Sequence, residues 1–142
     1  MMMYKCSLVK EAMIDYGNVG TAEDVATVMQ SLVSYATDEY VYMFALDAKG
    51  KIIGVHEISH GYLCGSVVHP REVFKRALLN NACAIILSHN HPSGDVTPSD
   101  DDIATTNRMI EAGKVLGVDM LDHIIVADGM YCSLRERGCC EF

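Results

Sequence analysis

The sequence has little of what membrane-spanning, secreted and disordered proteins require. It contains no tryptophan, only three prolines and 7% aromatic residues among its 142 positions. Its longest uninterrupted apolar run, residues 82–87, is far shorter than the roughly 20 residues that a membrane-spanning helix needs. Lys10 and Glu11 follow the start of the chain before an apolar signal segment can form. Because half of the residues are hydrophobic, we expect one soluble, cytoplasmic domain over residues 1–142, with no membrane partner.

Basic residues are also scarce. Eleven Lys and Arg against nineteen Asp and Glu give a formal net charge of −8. Proteins that bind nucleic acid through its phosphates normally carry a basic patch, often with aromatic side chains for base stacking. The densest basic groups, residues 71–76 and the pair Arg135 and Arg137, are short and have few aromatic neighbours. Direct nucleic-acid binding is therefore only weakly supported.

The six cysteines form no C-x-x-C pair, and without a secretory signal reduced thiols are expected. We interpret them as small buried hydrophobic residues or as surface thiols near the terminus, and no role is assigned to the adjacent Cys139 and Cys140.

Hydrophobic periodicity predicts strands and helices that alternate along the chain. The predicted elements are a short strand within residues 4–16, a helix from Thr21, a hairpin of strands 40–46 and 51–60, a strand over 63–68, a helix from Pro70, a central strand over 82–87, a helix ending near Gly117, and a hairpin of strands 124–127 and 130–134. The helix residues expected in the core are Val25, Val28, Met29, Leu32, Val33, Ala36, Val73, Phe74, Ala77, Leu78, Ile103, Ile110 and Leu116. This order favours an α/β fold in which a mixed sheet lies between helical layers.

Two histidines follow the central strand. His89 and His91 are two positions apart, and side chains at i and i+2 of a strand point to the same face. Both imidazoles can therefore meet one cation. Two hydrogen-bonded histidines in a surface loop are the alternative interpretation.

A carboxylate in the next helix strengthens the case for a metal. Asp102 lies in the first helical turn, after a loop that contains Pro92 and Pro98. Two histidines, one carboxylate and an open position for water form the pattern of a catalytic zinc site, although the same ligands also suit ferrous iron. Ser99 to Asp102 is also an S-x-x-D sequence, which is typical of a helix start. Both roles are compatible if Ser99 caps through its backbone while its hydroxyl faces the metal.

Four separated blocks of the sequence resemble the RadC family of the JAMM (MPN+) metallohydrolase superfamily. They are V-H-P-R-E-V from Val68, S-H-N-H-P-S-G from Ser88, P-S from Pro98 and L-D-H-I-I-V from Leu121. The blocks occur in the family's order, and the similarity extends over about residues 40–138. The resemblance implies a JAMM/MPN fold of cytidine-deaminase-like architecture, with helices on both faces of a mixed sheet.

The resemblance also implies a role for each site residue. His89, His91 and Asp102 would be ligands of one zinc ion. Ser99 would donate a hydrogen bond to the developing oxyanion. Glu57, which matches the family's upstream glutamate, would take a proton from the zinc-activated water and pass it to the leaving amine. The implied activity is that of a metallopeptidase or isopeptidase acting on a peptide or protein substrate.

Strand alternation gives a separate argument about Glu57. It predicts that Ile53, Val55, Glu57 and Ser59 share one face, where a buried carboxylate needs a nearby cation or water network. A residue that faces solvent at the end of the strand is the alternative.

Three functions remain open at this point: a zinc-dependent peptidase, a DNA-repair-associated member of the RadC family, and a non-catalytic interaction module. The complete set of five site residues favours the first. The sequence leaves the substrate and the oligomeric state undetermined.

Overall fold

The structure is a computed structural model, and it describes residues 1–13, 19–34, 36–61 and 68–142. These residues form a five-stranded sheet with the order β2-β1-β3-β4-β5. Strands β3 and β4 are parallel, and the other neighbouring pairs are antiparallel. The strands are β1 (Glu39–Leu46), β2 (Ile52–Gly61), β3 (Ala84–Asn90), β4 (Asp119–Ala127) and β5 (Met130–Ser133).

Helices cover both faces of this sheet, which confirms the expected mixed α/β fold. They are α1 (Ala22–Leu32), α2 (Pro70–Leu79), α3 (Asp100–Leu116) and the short α4 (Leu134–Arg137). Helix α1 packs on one face, against β3 and β4. Helices α2 and α3 pack against each other on the opposite face. Among the described residues, no helix combines the length and the apolar character needed to cross a membrane.

The helix boundaries follow local sequence signals. Thr21, the predicted helix start, caps α1 in a reciprocal capping box with Asp24. Pro70 occupies the start of α2, where its missing N–H costs nothing. Helix α3 ends at Gly117, whose φ of 70° is in the left-handed region that favours glycine.

Two apolar layers hold the helices to the sheet. Met43 lies on the α2 and α3 side of β1, whereas its neighbour Phe44 lies on the α1 side, and both side chains are fully buried. This alternation allows the central strands to contribute to both layers. Strand β3, like β1, is therefore packed from both sides.

Several predicted boundaries are wrong. Residues 4–13 form no strand, and β4 begins at Asp119 rather than at residue 124, because its first residues pair in parallel with β3 from Ala84 onward. Leu134 begins α4 instead of ending β5. Residues 63–67 of the predicted strand over 63–68 and residues 14–16 of that over 4–16 lie outside the described residues, and Val68 is in no strand.

The expected core is also corrected at the helix ends. Leu78 is 49% exposed and Leu116 is 44% exposed, because each lies on the solvent side of the last helical turn. The buried positions of α3 are Thr106, Met109, Ile110 and Gly113. The described cysteines are free thiols. Cys132 is buried as expected, but Cys83 is exposed and far from both ends of the sequence, so the interpretation as buried or terminal thiols is wrong for Cys83.

Strand β2 is at the edge of the sheet and contains two irregularities in its pairing with β1. Ser59 is opposite Val41, but Glu57 is opposite the next residue, Tyr42, so one residue of β2 bulges between them. Because neighbouring residues of β1 face opposite sides, Ser59 and Glu57 do so as well. The prediction that Glu57 and Ser59 share one face is therefore wrong, and strict alternation fails because of the bulge.

Candidate metal centre

The end of β3 presents the two histidines. His89 is 2% exposed and His91 is partly buried, and they lie on the side of the sheet that faces α3. Asn90, between them, points the other way. Its amide oxygen accepts a hydrogen bond from the backbone N–H of Tyr40, and its amide nitrogen donates to the carbonyl oxygen of Asp38. The asparagine therefore ties the histidine-bearing strand end to the start of β1.

The start of α3 presents the carboxylate. Ser99 is the N-cap, and its hydroxyl oxygen accepts the backbone N–H of Asp102 at 3.1 Å. The Asp102 carboxylate accepts the backbone N–H of Ser99 at 2.8 Å. This reciprocal capping box fixes the direction of the Asp102 side chain as the helix begins.

The three side chains converge. The Nε2 atoms of His89 and His91 are 2.9 Å apart. One carboxylate oxygen of Asp102 is 3.2 Å from Nε2 of His89, and the other is 3.3 Å from Nε2 of His91. In the part of the chain that the structure describes, this is the one group of three His, Cys, Asp or Glu side chains that is compact enough to hold a metal ion.

The contacts of Asp102 favour the ionised form of its carboxylate. Burial tends to raise the pKa of Asp102, but its close contacts with the imidazoles of His89 and His91 outweigh this effect and hold the pKa well below its usual range. The same contact with Asp102 raises the pKa of His91, against the opposite effect of burial. At neutral pH Asp102 is therefore ionised, and its carboxylate places a negative charge beside the two imidazoles.

The donor chemistry of the cluster fits a divalent cation. The Nδ1–H of His91 donates to the carbonyl oxygen of Asp95 at 2.6 Å, so the neutral imidazole has its lone pair on Nε2. Two imidazole nitrogens and a carboxylate are ligands that zinc accepts in catalytic sites. His89, His91 and Asp102, the predicted ligands, are thus brought together as expected.

Ser99 lies beside this cluster but is held differently from the expectation. It caps α3 through its side chain as well as through its backbone. The hydroxyl oxygen acts as the acceptor in this contact, so its hydrogen is available to donate to another group. The predicted role as an oxyanion donor stays a prediction.

The structure does not bring Glu57 to the cluster. Its side chain is exposed, and its partner in β1, Tyr42, packs in the layer on the α1 side. Ser59, in contrast, lies in the same row as Val41 and His89. The Ser59 hydroxyl is buried and has no hydrogen-bond partner among the described residues. The role of Glu57 as general base stays a prediction that no contact in the structure supports.

A buried histidine on the neighbouring strand contacts His89. Nε2 of His123, in β4, is 2.8 Å from Nδ1 of His89, and Nδ1 of His123 is 2.6 Å from the hydroxyl of Thr106. Burial, reinforced by the nearby His89, holds the pKa of His123 well below its ordinary value, so the ring is neutral. The sequence reasoning assigned His123 no role. Its sequence signal, a histidine inside the apolar run of β4, is one that an ordinary core histidine shares.

Asp122, next to His123, is a buried carboxylate on the other side of β4. It accepts hydrogen bonds from the hydroxyl of Ser133 and from the backbone N–H groups of His123 and Arg135. Burial raises its pKa despite these three donors. The residue therefore fastens the β5–α4 junction to β4, a role that the sequence reasoning also missed.

Comparison with known proteins gives a consistent family. The model of the RadC-like JAB domain matches residues 19–139. A UPF0758 protein of Caldanaerobacter subterraneus is 46% identical over 125 residues, which cover 88% of this chain and 54% of the relative. A UPF0758 protein of Moorella thermoacetica is 46% identical over 115 residues, covering 81% and 50%. One from Methanococcoides burtonii is 45% identical over 120 residues, covering 84% and 52%. The chain spans about half the length of these relatives, and their names state no activity.

Proposed function

The chain belongs to the RadC family of JAB (JAMM) domains, and from this membership and its metal centre we propose that it is a zinc-dependent hydrolase of amide bonds. The single observation that carries the proposal is the convergence of two imidazole nitrogens and one carboxylate. A purely structural scaffold does not need this convergence. Bringing three polar side chains together at the edge of an apolar core costs free energy unless they bind a partner.

The residues divide the work of the proposed reaction. His89, His91 and Asp102 would hold the ion, which supplies a Lewis acid and an ionised water near neutral pH. The hydroxyl of Ser99, fixed at the start of α3, would donate a hydrogen bond to the oxygen of the attacked carbonyl. Glu57 would accept a proton from the attacking water and give it to the leaving amine. No covalent enzyme intermediate is required.

The proposed substrate is a peptide bond or an isopeptide bond in a protein. An amide is the class of bond that the family resemblance implies. Nucleic acid is less favoured as a partner, because the net charge of −8 opposes binding to phosphates. Ferrous iron is the alternative metal, since it accepts the same two histidines and one carboxylate.

Metal binding is the first test. Purified protein is stripped with a chelator and dialysed against zinc chloride, and we expect about one zinc per chain. His91→Ala and Asp102→Ala should lose most of this zinc. His60→Ala is the matched control, because His60 is exposed and its ring bonds to Asp38 outside the cluster. Equal zinc in all four proteins would refute the site, and preferential loading with ferrous iron under anaerobic conditions would refute zinc.

Hydrolysis is the second test. The zinc-loaded protein is incubated with peptide pairs joined through a lysine ε-amide and with linear peptides of the same composition. Cleavage that disappears with a chelator and returns with zinc supports the proposal. Full zinc binding without cleavage of either set would favour a non-catalytic interaction module instead.

A further inference from the structure

His89 can ligate a cation through Nε2 only if its ring proton is on Nδ1. Its Nδ1 faces Nε2 of His123 at 2.8 Å, and histidine nitrogens can either donate or accept. The contact between the two rings alone therefore does not determine which nitrogen of His89 carries the proton. The answer depends on what lies on the far side of His123.

Thr106 supplies the answer. Its hydroxyl donates to the carbonyl oxygen of Asp102 at 2.7 Å, and a carbonyl can only accept. The hydroxyl hydrogen is thereby used, so toward Nδ1 of His123, 2.6 Å away, the Thr106 oxygen acts as an acceptor. His123 then carries its proton on Nδ1 and a lone pair on Nε2.

This order of donors and acceptors determines the tautomer of His89. With a lone pair on Nε2, His123 accepts the Nδ1–H of His89, and Nε2 of His89 is left for the cation. Thr106 is fully buried, and His123 and His89 are 3% and 2% exposed, so water does not compete for these bonds. The reverse order would put a proton on Nε2 of His89 and block the site.

We propose that His123, oriented by Thr106, is a positioning residue that fixes the ring of His89 for cation binding. The inference rests on the cation site of the proposed function but not on hydrolysis. Histidine ligands generally have their second nitrogen held by a fixed partner, and loss of that partner typically weakens metal binding by roughly 10- to 100-fold. Here the partner is a neutral imidazole, which is itself set by a helix hydroxyl.

The first readout is spectroscopic and uses metal-free protein. Long-range proton–nitrogen correlation spectra of protein labelled at its histidines, recorded near pH 8, distinguish the two tautomers of a neutral ring. The wild-type protein should show the His123 proton on Nδ1. A proton on Nε2 of His123 would overturn the proposal.

The second readout is zinc affinity, measured by competition with a chromophoric chelator. Thr106→Val keeps the shape of the side chain but removes the acceptor, and we expect zinc affinity to fall by roughly 10- to 100-fold. Thr106→Ser should keep the affinity within a few-fold of wild type. Thr27→Val is the matched control, because Thr27 makes the same type of hydroxyl bond to a carbonyl one turn earlier, in α1 and away from the site.

Each outcome has a separate meaning. If wild type binds zinc and Thr106→Val binds it equally well, the positioning role is wrong and the proposed function stands. If wild type binds no zinc, the cation site fails and the positioning role fails with it. Thr106→Ala serves as a second variant if Thr106→Val does not fold, and it should show the same loss of affinity.

Discussion

The amide oxygen of Asn90 accepts a hydrogen bond of 2.7 Å from the backbone N–H of Tyr40. With the second bond, from the Asn90 amide to Asp38, it closes the end of β3 onto the beginning of β1. The two histidines on either side of Asn90 thus stand on a strand end that is fastened from the opposite face. Asn90 is 5% exposed, and the two backbone groups that it pairs are partly buried.

Asn90→Ala is expected to destabilise the protein. It removes the partner of two partly buried backbone groups, the N–H of Tyr40 and the carbonyl of Asp38, and an unpaired buried group costs about 1–3 kcal/mol. Urea unfolding measures the change in the free energy of unfolding. Asn107→Ala, at an exposed position of α3, is the control and should stay within about 0.5 kcal/mol of wild type. Equal stability of the two variants would contradict a fastening role for Asn90.

Ser99→Ala is expected to affect stability and hydrolysis separately. Loss of the cap should cost about 1 kcal/mol, as should Thr21→Ala in the corresponding capping box of α1. Only Ser99→Ala should also lower the turnover of a cleaved amide substrate at saturating zinc, on the order of 100-fold, because an oxyanion donor is lost. Turnover that is the same in both variants would reduce Ser99 to a helix cap.

Glu57→Gln is expected to keep zinc while losing hydrolysis. The residue is not among the three converging ligands, so zinc content should match wild type. Loss of a general base lowers turnover by roughly 10²- to 10⁴-fold. Glu111→Gln, which changes an exposed carboxylate of α3, should leave both quantities unchanged. Undiminished turnover in Glu57→Gln would show that another group takes the proton, in agreement with the exposed position of Glu57.

Asp122→Asn is expected to change how stability depends on pH. Burial raises the folded-state pKa of Asp122, so its contribution to stability is fully present below the unfolded pKa of about 3.9 and is lost as pH rises through the folded value. The asparagine does not titrate and can still accept from the two N–H groups. The free energy of unfolding of the variant, relative to wild type, should therefore increase with pH above about 4.

Urea unfolding of both proteins from pH 3 to pH 8 gives this difference directly, over about the range in which carboxylates titrate. A difference that stays constant across the range would mean that the pKa of Asp122 is the same in the folded and unfolded chain. A difference that decreases with pH would mean that the carboxylate is better stabilised in the fold than in water.

The parts of the fold that the sequence predicts well are those with local signals. The capping residues Thr21 and Ser99 and the terminal Gly117 each act on the few residues beside them, so helix starts and ends can be read directly. The candidate metal ligands are also nearly local, because His89 and His91 share one strand face and Asp102 follows one loop later. Their convergence needs only the ends of two successive elements.

What the sequence does not predict depends on contacts between distant segments. The bulge near Glu57 arises from the pairing of β2 with β1, and strict alternation gives the wrong face. His123 and Thr106 meet His89 only because β4 lies beside β3 and α3 covers both. No local pattern around a histidine in an apolar strand distinguishes a support for a ligand from an ordinary core residue.

The carboxylate in the capping box of α3 makes two separate sets of contacts. Asp102 closes the first turn of a helix and also faces two imidazoles. A related sequence without a metal site would still be constrained at position 102 by the helix, whereas the helix places no such constraint on position 91. An aspartate conserved at that position is thus weak evidence of metal binding in a relative, and a conserved histidine pair is stronger evidence.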